Sequence, residues 1–134
     1  MRVMLDTNVL ISAIVYRHSI TAEIVAHIKD NHTIVMCNRI IYELENIFIR
    51  KFPDKLYDMY VDIEILTDEL FMLNHTEESK YPFIRDPKDL PVLANAIESQ
   101  VDLFITGDKD FEEIKIIKPR ILKPRQYKDE FMII

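Results

Sequence analysis

Glycine and cysteine each occur once in this chain of 134 residues, as Gly107 and Cys37. So little glycine excludes a flexible glycine-rich linker, and no internal repeat or low-complexity tract breaks the sequence. A lone thiol cannot form an internal disulfide, which fits a reducing, cytoplasmic setting. Long apolar runs are also missing. None reaches the roughly 18 residues that a membrane span needs, so no membrane role is expected. The N-terminal MRVMLDTNVLISAIVY is interrupted by Asp6 and Asn8. It reads as a first strand and helix rather than a signal peptide. Excess positive charge is absent too. The net charge of −6 argues against a protein that coats nucleic acid electrostatically. An enzyme acting on a polyanion stays open, because divalent cations held by carboxylates invert the local field.

What is present is ordinary globular composition, 49% hydrophobic and 30% charged. The length suits one domain over residues 1–134. Short apolar runs at Arg2–Leu5, Thr33–Met36 and Leu103–Thr106 look like buried parallel strands. Lys115–Ile117 suggests a fourth and Ile121–Leu122 a fifth. Helical periods lie between them. Ile20, Ile24 and Ile28 repeat at four; Ile40, Leu44, Ile47 and Phe48 form a stripe ending before Pro53. Leu56, Tyr60, Ile63, Leu66, Leu70 and Leu73 predict a helix over Asp54–Leu73, and Leu90, Leu93, Ala94 and Ile97 another. Strands alternating with such helices predict an α/β fold with a mainly parallel sheet. Ligands of such sheets bind beyond the carboxyl ends of the strands.

The acids fall at those ends. Asp6 follows the first strand, and Asp108 follows LFIT after one glycine. Each also reads as a helix cap, with Gly107 then taking a positive φ. Glu43 sits at i+3 from Ile40 on the margin of the core-facing stripe, whereas Glu45 points away. A carboxylate there costs several kcal/mol to desolvate unless it meets a cation, a hydrogen-bond donor, or an arginine such as Arg39 or Arg85. Asp89 precedes Pro91, which is tolerated only in a first helical turn, so the helix starts near Asp89 and that residue also reads as its cap. Asp86, in the turn before it, is a supporting acid. Hard oxygen ligands of this kind prefer Mg²⁺ or Mn²⁺, while Zn²⁺ would recruit histidine or cysteine. The four histidines show no paired spacing. Carboxylate clusters holding one or two such ions suit phosphodiester hydrolysis. With an acidic chain, a polyanionic substrate must meet local cations. Arg17 and His18 after the first helix, Arg39 and Lys109 are the candidates.

Taken in order, LDTNVLISA, YELENIF, DPKDLPVLANAI and LFITGDKDF resemble the PIN domain over essentially the whole chain, and most closely its bacterial and archaeal toxin branch related to VapC-type toxins. That resemblance implies a three-layer α/β/α sandwich and single-stranded endoribonuclease chemistry at a divalent-metal site. It places the family's acids on Asp6, Glu43, Asp89 and Asp108, with Asp110 replacing or assisting Asp108. Asn8 and Thr106 match positions that support the first acid. It further implies a homodimer and a small antitoxin that wraps the toxin and blocks its site. The apolar and aromatic side chains Tyr57, Met59, Tyr60, Phe71 and Met72 are either a dimer stripe or core. Two other readings compete. An aspartyl-nucleophile phosphatase would want an acid where Asn8 stands, and a receiver-like domain would bind an ion without cleaving anything.

Overall fold

The computed structural model describes residues 1–133. The chain runs β1 (Arg2–Leu5), α1 (Thr7–Val15), α2 (Ile20–Asn31), β2 (Thr33–Cys37), α3 (Asn38–Lys51), α4 (Leu56–Leu66), β3 (Glu69–Phe71), α5 (Leu90–Glu98), β4 (Leu103–Ile105), β5 (Arg120–Leu122) and α6 (Pro124–Phe131). All pairings are parallel, in the order β3-β2-β1-β4-β5. Successive residues of a strand point to opposite faces, yet Val3, Met4 and Leu5 are all buried, as are Leu103, Phe104 and Ile105. Both faces of the sheet are therefore covered, giving the expected three-layer α/β/α sandwich.

The order of the strands decides where a site can form. The chain steps from β1 outward to β2 and β3, then returns past both to β4, and β5 continues the other way. β1 and β4 are thus neighbours whose connections leave in opposite directions, which opens a crevice beyond their carboxyl ends. Asp6 directly follows β1, and its N–H donates to Ile105 O at 2.9 Å. Among the described residues no single helix is long and apolar enough to cross a membrane.

Two expected elements differ. The helix expected over Asp54–Leu73 is a 3₁₀ turn at Pro53–Lys55 followed by α4, which stops at Leu66. Thr67 terminates it by donating both its N–H and its hydroxyl to Ile63 O. Asp68 then accepts from Ile34 N–H at 2.8 Å and pairs with Lys29, so the chain turns along β2 and Glu69–Phe71 becomes an edge strand. Leu70 and Leu73 continued the helical period by coincidence, and pairing with an existing strand overrode it. The second difference is Lys115–Ile117, which forms no strand; Ile117 is 100% exposed, and the sheet is extended by Arg120–Leu122 instead. Of the possible dimer stripe, Met59 is buried in the core, while Tyr57, Tyr60 and Met72 are exposed.

Candidate metal centre

Asp6 sits at the start of α1 and is buried. Its Oδ1 accepts from Thr7 N–H at 2.8 Å, and its Oδ2 accepts from the Thr106 hydroxyl at 2.6 Å. Thr106 Oγ1 in turn accepts from Asp108 N–H at 3.0 Å, so one buried threonine ties the end of β1 to the end of β4. The Thr7 hydroxyl donates to Glu43 Oε2 at 2.8 Å and draws α3 toward the same point. Arg39 Nε stands 3.6 Å from the other oxygen of Glu43, which is an ion contact rather than a hydrogen bond. Glu45 is on the far side of α3, accepting from the Tyr60 hydroxyl of α4.

These side chains face one open cavity of about 350 Å³, lined by Asp6, Asn8, Glu43, Asp86, Asp89 and Asp108 among others. All four acids singled out in the sequence therefore meet in one place. Capping explains some of them only partly. Asp6 does cap α1, and Asp108 accepts from Asp110 N–H at 2.9 Å. Asp89 makes no cap bond to α5; the turn before it is capped by Asp86, which accepts from Lys88 N–H. Asp89 Oδ2 is buried without a partner. Gly107 does not have a positive φ, and a Cβ there would meet nothing within 4 Å, so the turn makes no demand for glycine.

Asp110 falls in a second subset. It offers an oxygen that lies within 4.8 Å of oxygens from Asp86 and Asp89. Its side chain is 11% exposed, and Arg85 Nη2 approaches its Oδ1 at 2.8 Å without hydrogen-bond geometry. Asp89 thus belongs to both groups, facing the cavity with Asp6, Glu43 and Asp108 and standing against Asp86 and Asp110. Asp86 was weighed in the sequence only as support, and its place beside Asp89 and Asp110 needed the folded turn.

The cations are distributed unevenly. Arg39 and Lys88 line the cavity. Arg17 does not; it pairs with Asp62 of α4 at 2.9 Å and lines a separate groove between α1, α2 and α4. Lys109 is exposed beside Asp108. In the sequence nothing in the spacing of Lys88 distinguishes it from a solvated lysine.

Crowded carboxylates raise one another's pKa. Burial, with the charges of Glu43 and Asp108 added, raises Asp6 from its ordinary 3.8 to about 6 despite two hydrogen bonds that oppose the shift. Burial and the charges of Asp108, Asp86, Asp6 and Asp110 raise Asp89 to about 7. The donor set is entirely carboxylate oxygen, with a buried oxygen on Asp89 that meets no hydrogen-bond donor, so it fits a hard divalent cation. A consequence follows for stability. Both folded-state pKa values lie above the unfolded ones, so the native chain holds extra protons and their contribution is full below about pH 4. It is lost as pH rises through 6 to 7. In EDTA the melting temperature should therefore fall between pH 5 and 8 from this source, and millimolar Mn²⁺ should restore it most at the upper end. Calorimetry across that range checks this; a Tm rising with pH in EDTA contradicts it.

A model of the PIN domain family matches residues 2–110. Among solved structures, the crystal structure of VapBC2 from Rickettsia felis bound to a DNA fragment from their promoter is similar in fold. Its TM-score is 0.62 at 20% sequence identity, covering 91% of this chain and 97% of that one. Among curated proteins nothing matches.

Proposed function

The chain belongs to the PIN domain family, and from that premise we propose that it is a divalent-metal-dependent endoribonuclease of single-stranded RNA, the toxin of a toxin–antitoxin pair. The observation that carries this is the convergence of Asp6, Glu43, Asp89 and Asp108 on one open cavity at the switch point of the sheet. Those four would hold Mg²⁺ or Mn²⁺, with Asp86 and Asp110 beside Asp89. When bound, a divalent ion supplies Lewis-acid activation of water and charge neutralisation at the phosphate. The chain's own contribution is placement. Thr106 and Thr7 hold Asp6 and Glu43 in fixed orientations, and the openness of the cavity admits a polymer. Asp6 and Asp89 must release protons for a cation to enter, so affinity for it should rise with pH.

The fold shared with a toxin–antitoxin complex supports an antitoxin as partner. We further propose that the protein is cytoplasmic and a homodimer. The test is cleavage of end-labelled single-stranded RNA. Cleavage with Mn²⁺ that EDTA abolishes is expected; none under either condition overturns the reading.

RNA must be held by cations near the acids, which here means Arg39, Lys88 and Lys109 rather than Arg17. Charge reversal at Lys88 or Lys109 should weaken RNA binding and flatten log Kd against log salt by about one phosphate contact each. Cut positions should not change, because phosphate contacts carry no sequence information. Arg17→Glu should leave the salt slope intact. A slope altered by Arg17→Glu alone would move the RNA path to the α1–α2–α4 groove.

A further inference from the structure

Beside the acidic cavity lies a second one of about 500 Å³, between the start of α3, the start of α5 and the stretch after β3. We propose that it is a base-binding subsite, which takes one unpaired nucleotide of the RNA and favours a base with an exocyclic amino group over uracil. The proposal deepens the nuclease reading and rests on it for the identity of the polymer.

Asn95 is the central observation. It is 1% exposed on α5, among the buried Val92, Ala94 and Ala96, where an apolar side chain would pack without cost. Its Nδ2 donates to Pro91 O at 2.8 Å, which fixes the orientation of the carboxamide. Its Oδ1, on the residue's cavity-lining side chain, has no donor. Asn38, at the first position of α3, lines the same cavity, and its Oδ1 is likewise buried without a partner. Two amide acceptors held without donors are rare in a folded protein and are satisfied by whatever brings N–H groups into the cavity.

The remaining walls suit a nucleobase. Tyr42 is 56% exposed, with the Arg39 guanidinium carbon over its ring at 5.6 Å from the centroid, so an aromatic that can stack on a base stands at the cavity wall. Arg39 and Tyr42 line both cavities. The two cavities therefore adjoin, and a nucleotide next to one whose phosphate is at the acids would enter the second. The chemistry of the acceptors sets the preference. Adenine and cytosine present an exocyclic amino group, and guanine presents adjacent N–H donors. Uracil presents one N–H flanked by two carbonyls, which would face the asparagine oxygens acceptor to acceptor.

The test needs no cleavage. ¹⁵N-labelled protein in EDTA is titrated with adenosine, cytidine or uridine at millimolar concentration, and the Asn95 side-chain amide resonances are followed by NMR. Adenosine and cytidine should shift them with affinities on the order of tenfold above uridine. Asn95→Leu should abolish that discrimination, followed through backbone resonances of α3. The surface change Tyr42→Ala, which leaves the core untouched, should weaken adenosine and cytidine by on the order of tenfold. Equal affinity for uridine, or no shift with any nucleoside, overturns the subsite even if the protein cleaves RNA. Shifts in a protein that cleaves nothing would leave the subsite standing and overturn the nuclease reading.

Discussion

Asp6→Asn should abolish Mn²⁺-dependent RNA cleavage while raising the melting temperature of the metal-free protein. The two effects share one cause. At neutral pH the Asp6 carboxylate is buried beside Glu43 and Asp108 with no cation against it, and the rise of its pKa from 3.8 to about 6 corresponds to about 3 kcal/mol of unfavourable charge. Asparagine removes that charge at nearly constant volume. It also loses something, because both oxygens of Asp6 are acceptors, from Thr7 N–H and from the Thr106 hydroxyl. An amide can present only one oxygen, so one of these bonds is lost at a cost of about 1 kcal/mol. The balance favours the variant by about 2 kcal/mol, a gain of several degrees in Tm in EDTA near pH 7.5. Differential scanning calorimetry and a cleavage assay on the same preparation read both. Retained cleavage would remove Asp6 from the site. A lowered Tm with lost cleavage would mean that the carboxylate serves mainly to hold β1 and β4 together through Thr106.

Glu43→Gln should reduce cleavage by on the order of 100-fold or more, the scale of losing one group that stabilises charge in a transition state. Glu45→Gln should stay within about twofold, as expected for an exposed pair of little energetic weight. The comparison is internally controlled. Both residues are on α3, two positions and so about 200° apart. Glu43, 25% exposed, faces Thr7, Arg39 and the acidic cavity, whereas Glu45 meets the Tyr60 hydroxyl on the outside. Glutamine at 43 can still accept the Thr7 hydroxyl, so the position of α3 should survive and the loss reports the charge. Equal losses from the two variants would show that α3 acts through its packing rather than through one carboxylate.

These expectations were legible to different depths in the sequence. β1, β2 and β4 could be read from short apolar runs because strands buried on both faces carry nothing else, and β5 from the pair Ile121–Leu122. β3 could not, since its hydrophobic spacing is equally that of a helix and only contact with β2 decides between them. α6 gave no signal, because it buries a single residue, Tyr127. Asp6 and Asp108 stood out as acids at strand ends, Glu43 as an acid on the margin of a buried stripe, where an unpaired charge is costly, and Asp89 as an acid at a helix start fixed by Pro91.

Local sequence therefore determined which residues would be candidate ligands, since chemistry and secondary-structure position belong to neighbours along the chain. What the tertiary structure alone decided is which of them share a cavity. The return of the chain from β3 past β2 and β1 to β4 brings Asp108 to Asp6 through Thr106, sets Asp86 and Asp110 against Asp89, and sends Arg17 away to Asp62. It also placed Asn38 and Asn95 at one cavity, although they stand 57 positions apart in the sequence. Such meetings depend on strand order and on crossover direction, and these are set by the packing of the whole sheet rather than by any segment within it.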